Sequence, residues 1–202
     1  TLPLATKIIT PKALDRRLIE RQGADSRRIK SFYGVCETVH LKHFKPDARD
    51  VKEYGDYVVV RPEPYMAAYF KSEAKTQTLI DQLNAMGYTV LVLPRSGERY
   101  NNAVHLENIE ALNLLYHAKA FFGGGGTMNR EAAVMGVPAV SFYSQDLLGV
   151  DRFLIKLGLL HHAPTLDFEI EEMLSEKGLR QKAKRVLKTF EDPFETIREA
   201  IA

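Results

Sequence analysis

Residues 121–131 read Phe-Phe-Gly-Gly-Gly-Gly-Thr-Met-Asn-Arg-Glu, and they guide the interpretation of everything around them. An apolar run that stops at four glycines and resumes as a helical pattern from Glu131 predicts a buried strand, a tight turn and a helix. Glycines adopt positive φ readily and let a ligand approach the backbone, and the following helix points unpaired N–H groups into the turn. The stretch therefore predicts a phosphate-binding turn.

Other interpretations of these glycines compete with this one. They could form a merely flexible corner, with Glu131 an ordinary carboxylate favoured by the helix dipole by about 0.3–1 kcal/mol. A Walker loop is excluded because no lysine follows the glycines. The dinucleotide fingerprint needs a small residue at its sixth position, where the two possible frames place Met128 or Asn129, so NAD binding is disfavoured.

Outward from the glycines, short apolar runs alternate with helical patterns. Because the runs lack polar alternation, they predict strands buried on both faces and hence a doubly wound parallel sheet, an α/β Rossmann-like fold. The residues before position 51 form a separate βαβ pattern, and a terminal helix from Leu179 is expected to kink at Pro193. The predicted strands are 7–10, 29–34, 57–60, 89–93, 104–106, 120–122, 139–143 and 159–161, with a first helix over 11–22, a helix cap at Asn108 and helical segments from Asp167 onward.

In the commonest doubly wound order, the first and fourth strands of the main sheet lie side by side and open a crevice at their carboxyl ends. These ends are Arg61 and the glycines, so Arg61 can supply a positive fork to a diphosphate while the glycine amides bind from the other side. An ordinary solvent-facing arginine is the alternative. Glu131, expected on the first helical turn, is placed to accept hydrogen bonds from two sugar hydroxyls of a nucleotide.

Composition limits the partners. With 28 basic and 26 acidic residues the net charge is +2, which gives no argument for nucleic-acid binding. Residues 1–52 hold an excess of basic groups, which favours a solvated face over a membrane-surface patch. The single cysteine, Cys36, fits a reducing compartment, and Cys36, His40 and His43 lack a fourth ligand for zinc, so no metal site is predicted.

Three elements carry a family resemblance: Gly124-Gly125-Gly126-Thr127, Glu131-Ala132-Ala133 and Gly136-Val137-Pro138. Together they resemble the carboxyl-terminal domain of GT-B glycosyltransferases and of UDP-N-acetylglucosamine 2-epimerases. With Arg61-Pro62-Glu63-Pro64 they are similar in particular to a largely archaeal family of predicted glycosyltransferases. The resemblance implies a remnant of an amino-terminal domain and linker over 1–50, a nucleotide-sugar-binding domain over 51–190, and a helix crossing back over 191–202.

The resemblance also implies the site and its chemistry. A UDP-sugar donor would be bound without a metal or cofactor, its diphosphate by the glycine turn, its ribose by Glu131 and its base by backbone groups near 105–108. His105 itself is equally well explained as a satisfied polar neighbour. The implied substrate-binding residues are Arg61, His105, Asn108, Gly124, Gly125, Gly126, Thr127, Met128 and Glu131.

The departures from the family pattern shape the functional hypotheses. Epimerases usually carry His-Arg where this chain has Val60-Arg61, which disfavours epimerase activity. The acceptor site and catalytic base are expected on a mostly absent amino-terminal domain, so this chain should bind without turnover. An epimerase and a non-catalytic nucleotide-sugar-binding module remain the alternatives.

Partners and location follow from the same resemblance. Beyond a donor and an unknown acceptor, we expect a cytoplasmic protein with a peripheral membrane contact through the absent half. Bare apolar faces should also drive homo-oligomerisation. These faces comprise Ile8, Ile9, Phe32, Val35, Phe194, Ile197 and Ile201.

Overall fold

The computed structural model describes residues 2–64, 69–166 and 169–201. Eight strands form in these ranges, most of them at apolar runs of the sequence, as the hydrophobic pattern predicts. The strands are β1 (Ile8–Pro11), β2 (Ile29–Phe32), β3 (Tyr57–Arg61), β4 (Thr89–Val92), β5 (Val104–His105), β6 (Phe121–Gly123), β7 (Ala139–Ser141) and β8 (His161–His162).

The helices alternate with the strands, and the described ranges contain nine of them. Their bounds are α1 (Arg16–Arg21), α2 (Thr38–Leu41), α3 (Tyr69–Ala85), α4 (Ala111–His117), α5 (Gly126–Met135), α6 (Gly149–Lys156), α7 (Ile170–Leu174), α8 (Leu179–Thr189) and α9 (Pro193–Ile201). Asp167, where helical segments were predicted to begin, lies outside the described residues.

Six strands form one parallel sheet in the order β5-β4-β3-β6-β7-β8. This order confirms the predicted doubly wound, Rossmann-like fold, with the first and fourth strands of the sheet, β3 and β6, adjacent at its centre. Alternate residues of β3 enter opposite cores: Val59 joins one buried cluster, and Val58 and Val60 join the other. Because both faces are covered at the centre of the sheet, the central strands β3 and β6 consist almost entirely of buried apolar residues, whereas the edge strands β5 and β8 are partly or fully exposed.

The opening segment forms its own two-stranded parallel sheet from β1 and β2, joined by α1, as the predicted βαβ pattern requires. The helix is shorter than predicted, because its first residue is Arg16 and its N-cap is Asp15. The Asp15 carboxylate accepts a hydrogen bond from the Arg17 amide at 2.9 Å. A side-chain cap of this kind fixes where a helix begins more firmly than the preceding proline does.

The predicted kink at Pro193 is wrong, since α8 and α9 are two separate helices. Phe190 caps α8 with an extended backbone, at φ −75° and ψ 133°. Pro193 is then the first residue of α9. Proline suits that position because its φ is already helical and its missing N–H has no intrahelical acceptor there.

The opening segment packs on the main domain through aromatic rings. Tyr33 contacts Phe153 and Phe190 at ring-centroid distances of 5.5 and 5.8 Å. Phe32 and Val35, predicted to be bare, are buried at 1% and 0% exposure, and Val35 belongs to the same core cluster as Phe190. The apolar residues of α9 do stay exposed, and they are Phe194, Ile197 and Ile201.

The helices also bear on membrane association. Where the structure describes the chain, none of its helices combines the length and the apolarity needed to cross a bilayer.

The ring cluster yields a stability prediction. Phe190→Ala should lower the free energy of unfolding by about 3–5 kcal/mol, because the ring fills a buried site between Tyr33 and Phe153. The matched control is Phe194→Ala, which removes a ring that is 57% exposed and should change stability by less than about 0.5 kcal/mol. Urea unfolding followed by circular dichroism measures both, and equal losses would contradict the packing described here.

Candidate functional site

The carboxyl ends of β3 and β6 meet at the point where the strand order reverses. Arg61 pairs with Gly123 in the sheet register, and the Gly124 amide donates to the Arg61 carbonyl at 2.8 Å. The predicted approach of these two loops is thus confirmed. In open α/β sheets this reversal opens a crevice where ligands bind.

The glycine turn depends on close packing at Gly124 rather than on positive φ. None of them is among the chain's positive-φ glycines, and Gly125 is extended at φ −175°. A Cβ on Gly124 would lie 2.4 Å from the Glu63 backbone nitrogen, a distance that real contacts do not allow. The expected positive φ is therefore wrong, and the turn is narrow because another backbone lies against it.

Helix α5 begins at Gly126, five residues earlier than the sequence pattern predicted. No side chain caps its first turn. The Asn129 side chain instead donates its amide hydrogens to the carbonyls of Gly123 and Gly125, at 3.1 and 2.7 Å. This brace holds the turn against the helix and leaves the first-turn amides free to bind an anion.

Two arginines border the turn. Arg61 ends β3, and Arg95 follows β4, donating from Nε to the Pro62 carbonyl at 2.7 Å. Burial lowers the pKa of Arg95, and the nearby Arg61 charge lowers it further. Within the described ranges neither guanidinium forms a salt bridge. The nearest carboxylate, Glu98, instead accepts hydrogen bonds from the backbone amides of Arg95 and Ser96, both at 2.8 Å.

Clefts open on both sides of Arg95. One of 340 Å³ runs along the ends of β3, β4 and β5, and includes Arg61, Leu106, Asn108 and Ile109 in its lining. The other, of 240 Å³, lies beside Gly125 and Gly126 and is walled by residues that include Tyr143, Asp146 and Leu148. Arg95 lines both clefts and so links the cleft at the ends of β3, β4 and β5 to the one beside the glycine turn.

Glu131 is the sixth residue of α5, in its second turn rather than the first turn that the sequence suggested. Its side chain is 13% exposed, and Oε1 lies 3.0 Å from Nε2 of His40. Burial raises the pKa of this carboxyl, and the His40 hydrogen bond acts against that shift. The one glutamate that the resemblance assigns to ribose is therefore already held by a residue of the opening segment.

The two predicted binding residues near the end of β5, His105 and Asn108, have different environments. His105 Nε2 accepts a hydrogen bond from the Tyr100 amide at 2.9 Å, and burial lowers its pKa. Its ring thus has a structural partner, and its part in binding stays a prediction. Asn108 does line the larger cleft, but the prediction that it caps α4 is wrong, because it has φ 56° and Glu110 is the cap.

The remaining predicted residues open α5. Thr127 is exposed, and its Oγ1 accepts from Arg130 at 3.3 Å. Met128 packs partly into the core. No group of three His, Cys, Asp or Glu residues in the described part of the chain is arranged to hold a metal ion.

Sequence reasoning missed several residues that shape this site. Arg95, His40 and Arg130 act through neighbours distant in sequence. Asn129 acts on glycine carbonyls four and six residues before it. The Arg130 guanidinium bonds Glu37 at 2.6 Å and Asp151 at 3.0 Å, and all three side chains are nearly buried. A Pro-Arg-Ser-Gly turn after a buried strand was the available signal for Arg95. His40 was considered only as a metal ligand, and Asn129 and Arg130 follow the glycines without a recognisable signal.

The whole chain, residues 1–202, matches the model of the family described as "Protein of unknown function (DUF354)". This chain belongs to that family. A relative, the uncharacterized protein MJ0665 of Methanocaldococcus jannaschii, is 36% identical over 179 residues, which cover 80% of this chain and 52% of the relative. The chain therefore spans about half the length of that relative.

Solved structures share the fold. The UDP-GlcNAc 2-epimerase of Methanocaldococcus jannaschii, in complex with UDP-GlcNAc and UDP, superposes with a TM-score of 0.65 at 13% identity, over 91% of this chain and 60% of its own. The glycosyltransferase SnogD of Streptomyces nogalater superposes with a TM-score of 0.57 at 18% identity, over 92% of this chain and 59% of SnogD. A glycotransferase of kitacinnamycin superposes with a TM-score of 0.59 at 14% identity, over 98% of this chain and 56% of its own. At these identities the likeness establishes the fold alone.

The two central glycines should respond differently to substitution. Gly124→Ala should destabilise the protein by about 1–3 kcal/mol, because its Cβ would meet the Glu63 backbone. Gly125→Ala should cost less than about 1 kcal/mol, since its backbone is extended and its Cβ meets only the movable tip of Arg95. Urea denaturation of both variants measures the difference, and a larger loss for Gly125→Ala would refute the close-packing explanation.

Proposed function

We propose that this chain binds the nucleoside diphosphate of a nucleotide-sugar, most simply a UDP-sugar, as the donor-binding half of a GT-B glycosyltransferase-like protein. The observation that carries the proposal is an arginine pair at the glycine turn. Nη2 of Arg95 lies 2.6 Å from where a Cβ of Gly125, the N-cap of α5, would be. Arg61 pairs with Gly123 in the sheet and lies near enough to Arg95 for the two charges to interact. Two neighbouring positive charges repel each other, and an anion placed between them and the helix amides relieves that repulsion.

A diphosphate matches this arrangement in charge and in size. The amides of the first turn of α5 can bind the oxygens of one phosphate, and the planar forks of Arg61 and Arg95 can each bind oxygens in pairs. Both forks are open to the larger cleft. The same groups would stabilise the negative charge that develops on a leaving diphosphate when its bond to the sugar breaks.

The remaining parts of a nucleotide find partners at matching distances. Glu131 lies five residues beyond Gly126, which is about 7.5 Å along the helix axis, a suitable separation between a phosphate and a ribose. One of its carboxylate oxygens faces His40, which leaves the other for a ribose hydroxyl. The base would enter the cleft beside Leu106 and Ile109, where apolar side chains and backbone groups meet.

The reaction itself would need groups beyond this chain. Since the chain spans about half of its relative, the acceptor site and the catalytic base would belong to the rest of a longer protein. The fold is shared with both glycosyltransferases and epimerases, so fold does not separate these activities. Val60 is fully buried at the end of β3, at the position where epimerases usually carry histidine, and this favours sugar transfer.

Calorimetry with UDP tests the anion site. Arg61→Ala and Arg95→Ala should each weaken UDP binding about 10- to 100-fold, the usual loss for a charge-assisted hydrogen bond. Arg99→Ala is the matched control, because Arg99 lies on the same loop but pairs with Glu107 at 3.1 Å. Binding should persist in EDTA and exceed binding of NAD. Tighter binding of NAD than of UDP, GDP and ADP would overturn the proposal.

Glu131 gives a second prediction. Glu131→Ala should weaken UDP binding by about 1–3 kcal/mol, the range for losing a charged hydrogen-bond acceptor. Calorimetry and thermal unfolding should be run on the same samples. A lower melting temperature with unchanged UDP affinity would show that the residue is only structural.

Product analysis distinguishes the proposed activity from its alternatives. The full-length protein, supplied with a UDP-sugar and candidate acceptors, should release UDP and form a glycoside. Conversion of the free nucleotide-sugar to its epimer would assign it to the epimerases instead, and binding without either product would indicate a sensing module.

A further inference from the structure

Helix α2 belongs to the opening segment, far from α5 in sequence, and it places a histidine at the candidate ribose site. Two buried residues anchor this short helix, Thr38 at 0% and Leu41 at 6% exposure. The Thr38 hydroxyl also donates to the Val35 carbonyl at 2.7 Å, which ties the start of α2 to the core. Between these anchors, His40 faces Glu131 on α5.

The charged groups around Glu131 leave His40 as its side-chain partner among the described residues. Arg130 is adjacent in sequence, but its guanidinium already bonds Glu37 and Asp151. Glu37 itself lies close enough to disfavour a second negative charge at Glu131. An ionised carboxylate can only accept, so in that state His40 Nε2 carries the hydrogen of the 3.0 Å contact with Glu131 Oε1.

We propose that His40 is a positioning residue, which holds one oxygen of the Glu131 carboxylate so that the other is presented to a ribose hydroxyl. This inference rests on the proposed nucleotide site and adds to it a residue from the opening segment. Without the imidazole, the Glu131 side chain would be free to rotate. The carboxylate oxygen that accepts from the ribose hydroxyl would then no longer be pre-oriented.

The pair is better suited to orientation than to stability. The His40 side chain is 43% exposed, and a partly exposed pair contributes little to the free energy of folding. Removing the imidazole should therefore leave the fold intact and change recognition of the ribose. A purely structural role would instead alter binding of every nucleotide to the same extent.

The experiment compares UDP with 2′,3′-dideoxy-UDP, which keeps the base and diphosphate but lacks the hydroxyls. His40→Ala should weaken UDP binding about three- to tenfold, as expected for one hydrogen bond, and leave dideoxy-UDP unchanged. His40→Gln should restore most of the loss, because its amide can donate in place of the ring. His43→Ala is the control, an exposed histidine of the same segment, and should change neither affinity.

The outcomes separate this inference from the proposed function. His40→Ala should have no further effect in a Glu131→Ala background, since the two residues act on one hydroxyl. An equal effect of His40→Ala on both nucleotides, or none on UDP while Glu131→Ala still weakens it, would overturn the role of His40 alone. Absence of UDP binding by the unaltered chain would overturn the proposed function and this inference with it.

Discussion

The close approach of two backbone segments, at Glu63 and Gly124, is the constraint on which the site depends. A side chain at Gly124 would overlap the Glu63 backbone, so the chain leaving β6 can only turn at a glycine and enter α5 at once. The same approach places the end of β3 beside the start of α5. The Glu63 carboxylate extends this junction by accepting a hydrogen bond from the Ser144 amide after β7, at 2.6 Å. Three strand ends thus converge around the open helix terminus.

A buried ion-pair network centred on Arg130 joins parts of the chain that are far apart in sequence. Glu37 lies in the opening segment and Asp151 on α6, and both meet the guanidinium from α5. Removing one member of such a group leaves a buried charge without compensation, which typically costs about 3–5 kcal/mol. The network also fixes α2 against α5. The geometry of Glu131 is therefore set by contacts with the opening segment as much as by its own helix.

Local patterns in the sequence were enough to predict the sheet, its strand order and the meeting of Arg61 with the glycines. An unbroken apolar run indicates a strand that is buried on both faces. The commonest doubly wound strand order then predicts which strand ends lie next to each other. Residues defined by distant partners were beyond such patterns. Arg130 appears as one basic residue in a helix until its guanidinium is seen to bond Glu37 and Asp151. Phe32 and Val35 were expected to be bare, because nothing local indicates that distant parts of the chain bury them.

The central position of β3 has a consequence for how the chain acquires its structure. Its partner β4 follows after one helix, but its other partner, β6, begins only at Phe121. A ribosome adds about 5–20 residues per second, so during synthesis one edge of the most apolar strand waits several seconds for its neighbour. Pairings between such distant segments also slow refolding, because a long loop must close before they form. The junction that creates the binding crevice therefore forms later than the pairing of β3 with β4.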